Sequence, residues 1–164
     1  MSVYNRKAAV TYAKTYALNP NPDYKFFYVF GEGGGDCTNF VSQCLHAGNI
    51  PMEFNPQSQP WWYNRVNNQW SISWAVAHSF YWTLKVRNEK KLTGLKGLEI
   101  KDISSLELGD VICYENYNGM VYHSAIITGF QGGEPLITQH TFNALDIPYT
   151  KYKAKKAHYM KISG

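Results

Sequence analysis

Three side chains have the right chemistry and context to act together: Cys37, His123 and His140. Cys37 follows Gly33-Gly34-Gly35-Asp36 and opens the run Cys37-Thr38-Asn39-Phe40-Val41-Ser42-Gln43-Cys44-Leu45. The apolar members Phe40, Val41, Cys44 and Leu45 recur on one helical face, so the spacing predicts a helix that begins at the thiol. At a helix N-terminus, unpaired backbone N–H groups and the positive end of the dipole both favour thiolate over thiol. The plain alternative is a cysteine that packs a core, as most free cysteines do. A cysteine nucleophile needs a base, and the base needs a group that fixes its tautomer. His123 begins one predicted strand, and His140 lies near the end of the next, beyond the turn Gln131-Gly132-Gly133-Glu134. An antiparallel hairpin brings the two histidines to the same end of a sheet. Each alone reads as structural or superficial; with Cys37 they read as nucleophile, base and orienter of a hydrolase working through a thioester.

Asp36 stands where helix caps stand, with contact to a substrate amine as the second reading. Cys44 and Cys113 read as core residues, and Asn39 and Gln43 as partners one turn apart on the cysteine helix. With three cysteines and no Cys-x-x-Cys pair, neither a disulfide framework nor a zinc site is expected, and no metal or cofactor is called for.

The elements that must position this set follow in chain order. Ala8, Ala9, Tyr12, Ala13, Tyr16 and Ala17 predict a packing helix from Asn5 to about Leu18, stopped by Asn19-Pro20-Asn21-Pro22. Tyr24 to Phe30 reads either as a short strand or as an extended lead into the glycine loop. The cysteine helix is expected to end near Ala47, with Gly48 as a left-handed terminator. Pro51 to Trp70 is a long aromatic excursion in which Trp61 and Trp62 either wall a binding cleft or roof the core. A second helix is expected from Ser73 to about Val86, carrying His78 as a surface or packing residue, followed by a connector from Asn88 to Gly97. Beyond the turn Leu106 to Asp110, strands are predicted at Val111–Tyr114, Val121–Thr128, Pro135–Thr141 and Ala157–Ile162. Helices followed by an antiparallel meander make an α+β domain.

At 164 residues the chain fits one domain, 1–164, and 45% hydrophobic with 17% charged residues is a globular composition. Aromatic residues make up 16%, enough to fill a core and also to build flat platforms for sugars. The net charge of +4 comes from scattered residues plus two groups, Lys85, Arg87, Lys90, Lys91 and Lys151, Lys153, Lys155, Lys156. These read as solvated faces; they exclude a nucleic-acid binder and leave room for attraction to an anionic wall polymer. Met1-Ser2-Val3-Tyr4-Asn5-Arg6-Lys7 does not resemble a signal peptide, and no apolar run reaches membrane-spanning length. The expectation is a monomer that leaves the cell by another route, or a domain excised from an exported protein.

Tyr28-Val29-Phe30-Gly31, Asp36-Cys37-Thr38-Asn39-Phe40-Val41-Ser42-Gln43, Leu108-Gly109-Asp110-Val111-Ile112, His123-Ser124-Ala125-Ile126-Ile127 and Ile137-Thr138-Gln139-His140 together resemble the putative amidase domain family. That family belongs with the papain-like NlpC-type and CHAP-type cell-wall hydrolases. The resemblance implies a papain-like fold with helices packed on a small, barrel-like antiparallel sheet, and hydrolysis of amide bonds in peptidoglycan outside the cell, as in an autolysin, a prophage lysin or an exported toxin. It implies Cys37 as nucleophile, His123 as general base and acid, and His140 as the orienting third residue, with Asn143 as a substitute orienter or extra polar group. It also places Tyr28 near Cys37 in the cleft. With Tyr28, the expected substrate contacts are Asp36, Trp61, Trp62 and Asn143. Two other uses of the same chain stay open: acyl or peptidyl transfer or action on other amides, and glycan binding by a decayed hydrolase through Trp61, Trp62 and Trp70.

Overall fold

The computed structural model describes residues 3–31 and 33–164; Met1, Ser2 and Glu32 lie outside the described residues. Helix α1 (Arg6–Tyr16) is capped by Asn5, whose side chain accepts from the Ala8 N–H at 2.9 Å. It buries Ala9 and Ala13, small residues that let it lie close against α2 (Cys37–Ala47).

Helix α2 is the centre of the domain: every residue from Cys37 to Leu45 is buried. A helix buried on all sides must satisfy its polar side chains internally, and each polar member reaches a different neighbour. Thr38 Oγ1 lies 3.1 Å from Ser124 Oγ, Asn39 donates to the Lys25 carbonyl, Ser42 donates to the Trp74 carbonyl at 2.9 Å, and Gln43 accepts from the Tyr12 hydroxyl at 2.7 Å. The polar half of Thr38-Asn39-Phe40-Val41-Ser42-Gln43 therefore fixes the helix in three dimensions while Phe40 and Val41 fill the core. Its C-terminal glycine differs from expectation. Gly48 has φ −78°, and the left-handed residue is Asn49 at φ +71°. Gly48 is required by packing instead, since a Cβ there would stand 2.6 Å from the Tyr4 ring.

The expected second helix is two, α3 (Ile72–Ala75) and α4 (Ala77–Glu89), separated at Val76, which is extended (φ −111°, ψ 120°). Arg87, read above with the solvated charges, is buried; its guanidinium donates to the carbonyls of Leu95, Ser58, Gln59 and Thr93 and ties α4 to two loops.

Strands β1 (Val29–Phe30) and β2 (Gly33–Gly34) form a small hairpin before α2, and β3 (Tyr63–Asn64) and β4 (Gln69–Trp70) another within the aromatic excursion. The main sheet contains β5 (Lys96–Ile100), β6 (Val111–Glu115), β7 (Val121–Gln131), β8 (Glu134–Gln139), β9 (Ala144–Pro148) and β10 (Lys156–Ser163) in the antiparallel order β5-β10-β6-β7-β8-β9. This is the α+β domain expected, with two strands added. Both additions are edge strands, and their charges, Gly97 and Pro148 suit edge positions while breaking the alternation that marks an inner strand. The larger core lies between the helices and the sheet, with Phe40, Leu45, Trp61, Trp74, Phe80 and Ile126 among its members; a smaller one, around Ile112, Tyr114, Ile127 and Ile137, covers the other face.

The Leu108-Gly109-Asp110 turn joins helix layer to sheet. Asp110, wholly buried, accepts from Arg6 Nη1 at 2.7 Å and from the backbone N–H groups of Glu107 and Ile162 at 2.8 and 2.9 Å. These bonds hold α1, the turn and β10 to one carboxylate. Removing it leaves two backbone donors without their acceptor and takes from Arg6 its buried carboxylate partner, although Arg6 keeps the Leu108 and Ile162 carbonyls, a loss of about 3 kcal/mol. We therefore expect Asp110→Ala to lower the melting temperature by roughly 10 °C, measured by thermal denaturation, for a chain of this size.

Candidate active site

Cys37 is the first residue of α2, and the end of β8 with its following turn closes against that helix start. The closeness has a cause: the backbone N–H of Asp36 donates to Thr141 Oγ1 at 2.8 Å, and a Cβ on Gly35, at φ +107°, would lie 2.7 Å from that same oxygen. Only glycine permits both the backbone angle and the approach. Cys37 and His123 line one cleft of about 510 Å³, together with Gly34, Gly35, Ala75, Val76, His78, Met120, Thr141 and Tyr152.

The imidazole of His123 is held in one tautomer. Gln139 Nε2 donates to the Phe142 carbonyl at 2.9 Å and to the Tyr152 hydroxyl at 2.6 Å, and that hydroxyl donates onward to the Thr141 carbonyl. A carbonyl can only accept, so the Gln139 amide is oriented with Oε1 toward His123 Nε2, 2.9 Å away. Nε2 therefore carries the proton, and Nδ1 keeps its lone pair. Among the described residues no buried side-chain nitrogen or oxygen lacks a partner, so the unbonded Nδ1 is open to the cleft. The ring also stacks on Tyr152, with centroids 4.3 Å apart.

Both reacting candidates rest uncharged. Burial pushes the Cys37 thiol above its usual range, against smaller opposing effects of hydrogen bonds from Thr38 and the Ser124 backbone. Burial likewise pushes His123 down from 6.5 to about 4, with the Gln139 bond pulling weakly the other way. Cys37 Sγ lies 3.6 Å from Thr38 Oγ1, a hydroxyl that bridges to Ser124 on β7. The thiolate expected from the helix terminus is thus replaced by a thiol that shares its cleft with a neutral imidazole.

His140 is not the orienter. Its Nδ1 faces Asp36 Oδ2 at 2.5 Å and its Nε2 donates to the Tyr16 carbonyl at 2.9 Å, so both ring nitrogens are occupied away from His123. Asp36 Oδ1 accepts from the Phe27 N–H and from Asn39 Nδ2. Asp36 and His140 thus form a buried hydrogen-bonded pair, and the His140 ring stacks on Phe40 with centroids 4.0 Å apart. Asp36 makes no side-chain cap bond and is 1% exposed, so it neither caps α2 nor meets a substrate amine.

The remaining expected contacts fall outside the cleft. Trp61 is fully buried, donates to Ser42 Oγ at 3.0 Å and packs on Trp74, which settles its place in the core roof and removes it from any glycan platform. Trp62 stacks on Phe54. Tyr28 is 68% exposed against Phe26, and it is its neighbour Val29 that lines the cleft. Asn143 is exposed in the β8–β9 turn, accepting weakly from Thr141 N–H. The residues missed were Gln139 and His78; Gln139 stood one position before the histidine chosen, and only side-chain geometry separates the two. Among the described residues no three His, Cys, Asp or Glu side chains are grouped to hold a metal ion, and no helix is long and apolar enough to cross a membrane.

The family model described as "Putative amidase domain" matches residues 3–163, and the chain belongs to that family, whose description is that of an amidase-type hydrolase. It is similar to two uncharacterized proteins of Bacillus subtilis (strain 168). To YhbB it is 35% identical over 158 residues, covering 94% of this chain and 47% of that protein. To YjcM it is 32% identical over 156 residues, covering 88% and 32%. The chain thus spans about half of one relative and a third of the other. No solved structure matches it significantly.

The His123 environment has a measurable signature. Below pH 6.5 the unfolded chain takes up a proton on this imidazole that the folded chain refuses until about pH 4. Unfolded protein then binds more protons, so stability falls as pH falls through that window, by about 3 kcal/mol. Urea denaturation from pH 7 to pH 4 is expected to show a decline shallower by that amount in His123→Gln; superimposable profiles would contradict a buried neutral imidazole.

Proposed function

We propose that this domain is a papain-like cysteine amidohydrolase that cleaves amide bonds in bacterial cell-wall peptidoglycan, acting outside the cell. The observation that carries the reading is the order Cys37, His123, Gln139: a thiol and an imidazole lining one cleft, with the imidazole proton fixed on the far nitrogen by an oriented amide. His123 Nδ1 takes the thiol proton as Sγ attacks the amide carbonyl, giving a tetrahedral oxyanion that the first N–H groups of α2 stabilise. His123 returns that proton to the leaving amine as the carbon–nitrogen bond breaks and the thioester forms. Water then attacks, gives its proton to Nδ1, and the thiolate leaves as the acid is released, recovering the proton from His123. Gln139 holds the tautomer throughout, the role first read onto His140.

The wall as substrate is supported by the family's amidase description and by the exposed Lys151, Lys153, Lys155 and Lys156, which suit an anionic polymer. The greater length of both relatives agrees with a catalytic domain that works joined to other segments.

The test is turnover of purified peptidoglycan with mass spectrometry of the released fragments. Cys37→Ala is expected to reduce release at least about 10³-fold, and Gln139→Leu by on the order of 10²-fold. Because the base is unprotonated above about pH 4, kcat/KM should hold steady between pH 7 and pH 5 and fall only near pH 4. Undiminished release by Cys37→Ala would overturn the reading; fragments ending in free lactyl groups or in free stem-peptide amines identify the bond cut.

A further inference from the structure

His78, the second residue of α4, lines the same cleft as Cys37 and His123. Its Nδ1 lies 3.1 Å from the backbone nitrogen of Val121, two residues before His123 on β7. A backbone N–H can only donate, so Nδ1 accepts with its lone pair, and the neutral ring carries its proton on Nε2. No hydrogen bond among the described residues engages Nε2, and no buried side-chain nitrogen among them lacks a partner, so this N–H is open to the cleft or solvent. The ring stands edge-on to Trp82 with centroids 6.4 Å apart, and together with the Val121 bond this fixes its direction.

The surroundings define what such a donor can meet. Ala75, Val76, Met120 and Val121 supply apolar wall, and among the described residues lining the cleft none is charged. Asp36, next to Cys37 in the chain, is spent on His140. A directed N–H in an uncharged, largely apolar cleft matches a neutral carbonyl, and the described lining supplies no counter-charge for a free ammonium or carboxylate.

We propose that His78 is a substrate-binding residue whose Nε2–H donates to a carbonyl oxygen of the acyl segment beside the scissile amide, and that this segment is an uncharged peptide with small side chains. The inference rests on the reading of Cys37 as the nucleophile of this cleft. The donor holds the acyl chain in line for attack and leaves proton transfer to His123.

The test uses an acetyl-alanyl chloromethyl ketone, which carries the acyl segment, and methyl methanethiosulfonate, a small thiol reagent with no carbonyl, which reports Cys37 reactivity alone. In His78→Asn, the side-chain oxygen keeps the Val121 N–H while the donor leaves the Nε2 position; in His78→Gln, an amide N–H returns near it. The ketone concentration for half-maximal inactivation is expected to rise about tenfold in His78→Asn, as for one lost neutral hydrogen bond. It should recover mostly in His78→Gln, with thiosulfonate rates within about twofold throughout. A ketone response unchanged in His78→Asn, at normal thiosulfonate rates, overturns the proposal while leaving Cys37 as nucleophile. If the ketone fails to modify wild-type Cys37 while the thiosulfonate succeeds, the nucleophile reading fails. His78 is then judged by its imidazole ¹⁵N signals in Cys37→Ala titrated with acetyl-alanyl-alanine amide: a saturable shift supports the donor, and no shift at millimolar peptide refutes it.

Discussion

A carboxylate with 1% exposure beside the thiol is the constraint around which the rest of the site is arranged. An isolated charge so deeply buried is costly enough to unfold a domain of ordinary stability, so Asp36 must be paired and its lone pairs filled. The His140 ring meets one oxygen, and the Phe27 N–H and Asn39 amide fill the other. Each partner comes from a different part of the chain. Satisfying one carboxylate therefore docks the segment before β1, the start of α2 and the end of β8 together, and His140's second bond adds the last turn of α1 through Tyr16. Cys37 inherits its position from that knot. The Asp-Cys sequence thus joins a chemical residue to the structural residue that places it.

Two electrostatic effects compete at Cys37, and their sizes decide the outcome. A helix N-terminus favours an anion by about 0.3–1 kcal/mol, up to ~2 kcal/mol in partly buried geometries. Burial of an ionised group shifts its titration by as much as several units at over 1 kcal/mol each. Desolvation wins at a residue 6% exposed, and Asp36 adds a smaller push in the same direction. The same desolvation strips His123 of its proton. Thiol and imidazole thereby both rest neutral in one cleft, and in the proposed reaction charge would separate only when a carbonyl carbon arrives to take the sulfur lone pair.

Much of this was legible in the sequence. Helical spacing around Phe40, Val41, Cys44 and Leu45 marked α2, and apolar runs set off by turn signals marked the four inner strands, because both patterns record what is buried. The thiol and His123 were legible as candidates that share one cleft since their contexts, a glycine loop before a helix and a strand start, are local. What stayed hidden depends on side-chain direction or on distant partners. Gln139 ends β8 and His140 opens the turn that follows, so which of them meets His123 depends on strand register and on the path of that turn. Strands β5 and β9 were missed because edge positions tolerate charge and proline. Trp61 and Trp62 were undecided because an indole serves a core and a platform equally; the choice fell to a single Ser42 hydroxyl that takes the Trp61 N–H inside the core.

The choice of a neutral amide at the third position follows from the neutral resting pair. A carboxylate or imidazolium touching His123 would place a charge within a cleft that has none among its described lining residues, and a carboxylate would hold the base protonated near neutral pH. Gln139 fixes the tautomer through geometry alone, its amide locked by the Phe142 carbonyl and the Tyr152 hydroxyl. In the proposed reaction the imidazolium would gain little from Gln139, which would make it a strong acid toward a leaving amine. Acidity of that kind helps most where the leaving group is a poor one, and an amide nitrogen must be protonated before its bond to carbon can break. Burial of His123 and neutrality of Gln139 therefore act in the same direction, toward a base that is free at rest and gives up its proton readily.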